Sequence, residues 1–224
     1  MPHQNGLREK EAPAPPSTRN EKMFYDSAEM LVCDPVASNR AATRSALYSL
    51  GCRHIEITGN LRDFLGALEN RPPDVALCEA QVGEAELCRA ICELRQGKGY
   101  NPFAIIIVTA WKPSTALVTQ ILAAGADGVL LRPFSAALLD QRIRAHVLHQ
   151  KPFIVTNNYI GPERRASGRP SDTASFVPPN SLLAKIESAE HLDDAIRRFN
   201  ADLRAACEKL ADRIRRRSVS QLHG

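Results

Sequence analysis

The sequence predicts an α/β fold, a five-stranded parallel doubly wound sheet followed by a linker and a C-terminal helix. Two observations carry this. Five short apolar runs alternate with five amphipathic runs, and the apolar runs are nearly continuous. Strands buried on both faces read that way, because crossover helices cover both sides of a parallel sheet.

The first strand is read as Met30-Leu31-Val32-Cys33. Ser38 to Leu50 follows as a helix with Ala42, Ala46, Leu47 and Leu50 on one face, ended by Gly51. Ile55 to Thr58 is the second strand and Leu61 to Leu68 a short helix. Val75 to Cys78 is the third strand and Glu84 to Leu94 the third helix. Ala104 to Val108 is the most apolar strand. Ser114 to Ala123 is helical, Gly128 to Leu131 is the fifth strand, and Ala136 to Leu148 the fifth helix.

The flanks read differently. Residues 1–26 are expected to form a disordered arm, since Pro13, Pro15 and Pro16 exclude a helix. The ordered domain is expected over 27–150. Residues 151–180 hold seven Pro or Gly and read as a linker. Within them Phe153-Ile154-Val155 and Tyr159-Ile160 are apolar enough to pack back on the domain. Residues 181–218 read as an amphipathic helical extension, one helix or two, capped by Asn180 or Ser181.

Composition narrows the function classes. No apolar stretch is long enough to span a bilayer, and Met1 to Asn5 lacks the basic-then-apolar order of a signal peptide. Six cysteines without a CxxC pair suggest reduced thiols in a cytoplasm. Cys88 and Cys92 lie one turn apart with too few neighbouring ligands for zinc. The net charge of +4 falls wholly in residues 151–224, which hold 13 Lys+Arg and 9 Asp+Glu. Much of it is Arg213, Arg215, Arg216 and Arg217. A short run without interleaved aromatics reads as a solvated helix end rather than a nucleic-acid contact. His146 and His149 read as solvated residues near the end of the fifth helix.

In a doubly wound sheet, functional side chains collect at the carboxyl ends of the strands. Those positions hold Asp34-Pro35 after strand one, Glu79 after strand three, Thr109-Ala110 after strand four and Arg132-Pro133-Phe134 after strand five. With the Asp34–Arg40 spacing, Gly51 and the stretch Ala124 to Gly128, this resembles the CheY-like, flavodoxin-like receiver domain of response regulators over about residues 28–148. The resemblance implies a Mg²⁺ site made by two adjacent acids and an acceptor aspartate. It also implies a hydroxyl and a lysine for the phosphoryl oxygens, and a cis bond before Pro133. Here Pro35 replaces the second acid, Glu79 the acceptor, Arg132 the lysine and Val129 an aromatic. Asp34 and Thr109 are retained. The segment Tyr159 to Arg165 resembles an extension that follows some stand-alone bacterial receivers, which assigns no function.

These departures have chemical consequences. Mg²⁺ requires octahedral oxygen ligands at about 2.1 Å, and Pro35 offers no side-chain oxygen. Glu79 extends into the space of a phosphoryl group. Arg132 presents a planar fork suited to a carboxylate. A Glu79–Arg132 ion pair is therefore expected to close the pocket, with Mg²⁺ weak or absent and no other cofactor.

Two interaction features remain. Trp111 sits at the rim of the same pocket, as a partly packed loop aromatic or a partner anchor. Leu192, Ile196, Phe199, Leu203, Ala206 and Leu210 recur at spacings of four and three. That seam serves a coiled-coil homodimer, a docking helix for a partner, or a helix packed on its own receiver. The sequence thus suggests a bacterial two-component or phosphorelay-type signalling protein with a degenerate receiver. It would not be an enzyme and would act on a protein partner without aspartyl phosphorylation. The alternatives are a phosphorylatable stand-alone regulator, or a DNA-binding regulator using the basic C-terminal helix.

Overall fold

The structure is a computed structural model and describes residues 25–70, 73–98, 101–156, 158–164, 174–187 and 192–222. Of the arm expected over 1–26, residues 1–24 lie outside them, as do Arg165 and the side chains of Leu192, Ile196 and Arg217. Tyr25, assigned to that arm, is instead buried in the core, its hydroxyl donating to Asp140 Oδ1 at 2.8 Å.

Five strands form one parallel sheet in the order β2-β1-β3-β4-β5: β1 Glu29–Cys33, β2 His54–Thr58, β3 Val75–Glu79, β4 Ile105–Ala110 and β5 Gly128–Leu131. The crossover helices are α1 Ala37–Ser49, α2 Leu61–Asn70, α3 Glu84–Glu93 and α4 Thr115–Ala124, with α5 Ala136–Leu148 following β5. The doubly wound fold is as the apolar runs predict.

Alternation along each strand sends neighbouring side chains to opposite faces. Leu31, Ala76, Cys78, Ile106 and Val108 pack under Phe64 of α2, Leu87 and Ile91 of α3 and Ile121 of α4. Met30, Val32, Val75, Leu77, Ile105 and Ile107 pack under Leu47 of α1 and Leu139, Ile143 and Val147 of α5. The helix starts have local causes. Ser114 Oγ and Ser135 Oγ accept from the backbone N–H groups of Leu117 and Leu138, both at 3.1 Å, satisfying donors that an α-helix leaves open. At the other end of α4, Gly125 adopts φ 108°, a left-handed cap that favours glycine.

One face differs from the expectation. On α1 the buried residues are Thr43 and Leu47, with Ala42 exposed. Ala46, Leu47 and Leu50 face the core as expected, and Thr43 is buried where Ala42 was expected.

The stretch expected to be a linker holds structure of its own. β6 Phe153–Val155 pairs antiparallel with both β7 Ile160–Pro162 and β8 Ala174–Phe176. The first two lie on the apolar pieces expected to pack back. Two helices follow, α6 Ser181–Glu187 and α7 Leu192–Leu222. Asn180 caps α6, its Oδ1 accepting from Leu183 N at 3.0 Å. Leu182 of α6 enters the core beside α5, and Lys185 Nζ lies 2.7 Å from Asp74 Oδ2 at the amino end of β3.

The seam on α7 is turned inward. Leu203, Ala206 and Leu210 are buried with Phe103, Phe153, Val155, Ile160 and Phe176, and Phe199 packs partly against them. Of the three uses open to the seam, this is packing on its own chain. The expectation that these side chains sit free for a second copy or a partner is corrected for Leu203 and Leu210. Phe103, Phe153 and Phe176 form a ring cluster, Phe103 meeting both others edge-on at 5.0 and 5.8 Å. Among the described residues no helix is long and apolar enough to cross a membrane.

Candidate functional site

The site forms where β1, β3, β4 and β5 end side by side. Register sets Cys33 beside Cys78, Glu79 beside Thr109 and Ala110 beside Leu131. The residues one step on therefore converge. Arg132 N donates to Ala110 O at 2.9 Å, and the Arg132–Pro133 bond is cis. The Arg132 guanidinium lies over the Phe134 ring, 4.8 Å from its centroid.

That guanidinium is the hub. Its Nε donates to Glu79 Oε2 at 2.8 Å and to Thr109 Oγ1 at 3.3 Å. Its Nη2 donates to Thr43 Oγ1 at 3.3 Å and lies 3.0 Å from Asp34 Oδ2, an ion pair whose angles fall outside hydrogen-bond geometry. Thr109 Oγ1 donates to Glu79 Oε2 at 2.7 Å. Asp34, Glu79 and Thr109 are all at most 1% exposed. A charge buried this deeply is costly unless an opposite charge meets it, and one Arg132 meets two carboxylates here.

Asp34 is fixed from a second side. Its Oδ1 accepts from Val36 N at 2.8 Å and Asn39 Nδ2 at 3.4 Å. Arg40 Nη1 donates to the carbonyls of Asp34 and Pro35 at 2.8 and 3.0 Å. Pro35 is exposed and contributes only that carbonyl.

The donor set fits Mg²⁺ poorly. Asp34 Oδ1 is taken by backbone and amide, Asp34 Oδ2 by Arg132, and Glu79 Oε2 by Thr109 and Arg132. Glu79 Oε1 and Asp34 Oδ2 are both buried without a hydrogen-bond partner among the described residues, and Asp34 Oδ2 is the one in the ion pair with Arg132. One open carboxylate oxygen beside a guanidinium falls short of an octahedral oxygen shell. Among the described residues no group of three or more His, Cys, Asp or Glu is placed to hold a metal ion.

The structure thus brings together Asp34, Glu79, Thr109 and Arg132, with Pro35 at the edge. Trp111 follows β4 and is 45% exposed. Two contributors escaped the sequence reading. Thr43 is four residues before Leu47 on the buried face of α1, and that spacing is the signal that could have found it. Arg40 figured there only as a spacing, and no periodicity reveals its grip on the loop carbonyls.

A second buried cation supports β5 from outside the site. Arg95 is 1% exposed and donates to the carbonyls of Gly125, Pro102 and Ala104 and to Asp127 Oδ2. Burial lowers its pKa from the ordinary value, against the pull of Asp127. His146, expected to be solvated, is half-buried over Gly128, and burial lowers its pKa too.

No curated protein matches the chain. Among solved structures, the chemotaxis protein CheY4 of Vibrio cholerae is 21% identical with a TM-score of 0.47, covering 52% of this chain and 96% of that one. The receiver domain of sensor histidine kinase PA1611 from Pseudomonas aeruginosa PAO1, with a magnesium ion coordinated in its active site cleft, is also 21% identical at TM-score 0.47. It covers 52% of this chain and 94% of that one. A signal receiver domain from Bermanella marisrubri reaches 25% identity at TM-score 0.46, covering 52% and 94%. A sequence model described as the response regulator receiver domain matches residues 30–144, and the chain belongs to that family.

Proposed function

We propose that this protein is a two-component signalling protein whose receiver works without aspartyl phosphorylation, through contacts with a protein partner. The observation that carries the reading is the Arg132 guanidinium set between Asp34 and Glu79, 3.0 and 2.8 Å from their oxygens. An internal cation stands where a metal and a phosphoryl group would otherwise neutralise the carboxylates. Glu79 is one methylene longer than aspartate, and its Oε2 is held by Thr109, the hydroxyl that a phosphoryl group would need. Pro35 withholds a ligand, so Mg²⁺ binds weakly or not at all.

Trp111, exposed at the rim, is the proposed anchor for the partner, since tryptophan is enriched among the residues that carry binding energy at interfaces. The DNA-binding alternative has less support. Arg213 lies over the Phe176 ring and Arg215 pairs with Asp212, so neither cation is held for a phosphate backbone.

The test is incubation of the intact protein with acetyl phosphate and Mg²⁺, followed by intact-mass and peptide-level mass spectrometry. The expected result is no phosphoryl adduct. The double variant Pro35→Asp with Glu79→Asp is expected to regain some Mg²⁺ binding, read from Trp111 fluorescence. A stoichiometric adduct on the wild-type peptide containing Glu79 overturns the proposal.

A further inference from the structure

A cleft of about 550 Å³ opens between α4, β5 and α5, and residues beyond the family match close its far side. Small-molecule sites typically enclose about 300–1,000 Å³. Val118, Leu122 and Val129 make an apolar floor. Four nitrogen-bearing side chains from three segments stand around it. Arg142 and His146 come from α5, Lys151 from the turn after it, and Arg164 from the residues after β7.

The charge is one-sided. Asp127 is the carboxylate among the lining residues, and its Oδ2 already accepts from Arg95 Nη2 at 2.8 Å and Ile106 N at 2.7 Å. Arg164 Nη2 donates to the carbonyls of Leu122 and Ala126, while its Nε is buried without a hydrogen-bond partner among the described residues. Lys151, Arg142 and Arg164 all act on His146, adding to burial in holding its imidazole below the ordinary value, with Asp127 opposing.

We propose that this cleft binds a small organic phosphate, its apolar or aromatic body on the floor and its phosphate among Arg142, Lys151 and Arg164. Cations converging from separate segments suit a dianion with several acceptor oxygens. The apolar floor selects for a carbon body over the bare ion. Val129 is part of the selection, because a β5 side chain larger than valine would enter the floor. The proposal is independent of whether Glu79 accepts phosphate, since the cleft shares no lining residue with Asp34, Glu79, Thr109 and Arg132.

The test uses the full chain with three probes: 1-naphthyl phosphate, 1-naphthol and inorganic phosphate. Isothermal titration is expected to show 1-naphthyl phosphate binding about tenfold or more tightly than either other probe, a difference of about 1.4 kcal/mol. The variant R142A/K151A changes two exposed residues. It is expected to keep its circular dichroism and melting temperature while losing about tenfold or more in affinity. In NMR, the His146 imidazole signal is expected to move on saturation and its apparent pKa to rise, because the bound anion offsets the three cations. Absent saturable binding, equal affinity for inorganic phosphate, unchanged affinity in the double variant, or a stationary His146 signal would each overturn the proposal.

Discussion

At the scale of the residue, Arg132 decides the character of the site. Removing one partner from a buried ion pair leaves an uncompensated charge, which costs about 3–5 kcal/mol. Arg132→Met leaves Asp34 and Glu79 facing each other unneutralised, so the unfolding free energy is expected to fall by that order and the urea midpoint with it. Arg132→Lys should lose less but more than nothing, because a point charge lacks the fork that spans two carboxylates. Equal midpoints for all three proteins would refute the role of the hub. His146 gives a pH signature. Its folded pKa lies below the ordinary 6.5, so the unfolded chain binds the extra proton first as pH falls. The stability contribution is therefore present above pH 6.5 and is lost as pH falls through 6.5 toward the folded value. His146→Gln removes this dependence. The difference in melting temperature between variant and wild type should shift in the variant's favour on going from about pH 7.5 to about pH 5. The four converging residues were legible because strand ends of a parallel sheet share one edge. Thr43 was not, because its hydroxyl interrupts the apolar pattern by which the buried face of α1 was recognised.

At the scale of the element, α7 shows what periodicity can and cannot say. Spacings of four and three announce that one face is covered, and that held for Leu203, Ala206 and Leu210. They carry no information about the covering partner, which is the chain itself through Phe103 and the small sheet. That sheet was illegible for a related reason. β8 is three residues long and pairs with β6 some twenty residues earlier. A strand so short has no alternation to read. Leu210→Ala is expected to cost about 2–5 kcal/mol, the usual loss for a buried leucine. The readout is the urea midpoint together with mass by light scattering. A change in mass without a change in midpoint would return the seam to intermolecular use. Arg95→Met should be at least as damaging, since it strips the carbonyls of Gly125, Pro102 and Ala104 of their donor at once.

At the scale of the whole molecule, thiol chemistry reports integrity. Cys33, Cys52 and Cys78 are buried, and Cys88, Cys92 and Cys207 are partly covered. Burial raises the Cys52 thiol to about 12 and raises Cys88, Cys92 and Cys207 as well. A brief maleimide pulse at neutral pH should therefore label the partly covered thiols slowly and the buried ones only after unfolding. Rapid labelling of Cys52 or Cys78 in the native protein would contradict the packing. The ring cluster of Phe103, Phe153 and Phe176 carries a further consequence, which concerns exchangeability. Receivers are often pictured as cassettes that can be joined to any output. In this chain the cassette boundary at residue 144 cuts through a continuous core, because Phe103 lies on one side and the rings and α7 leucines that cover it lie on the other. Excising the family-matched segment would bare Phe103 to water, so this receiver is not portable. Recombination or gene fusion could exchange it only together with its tail.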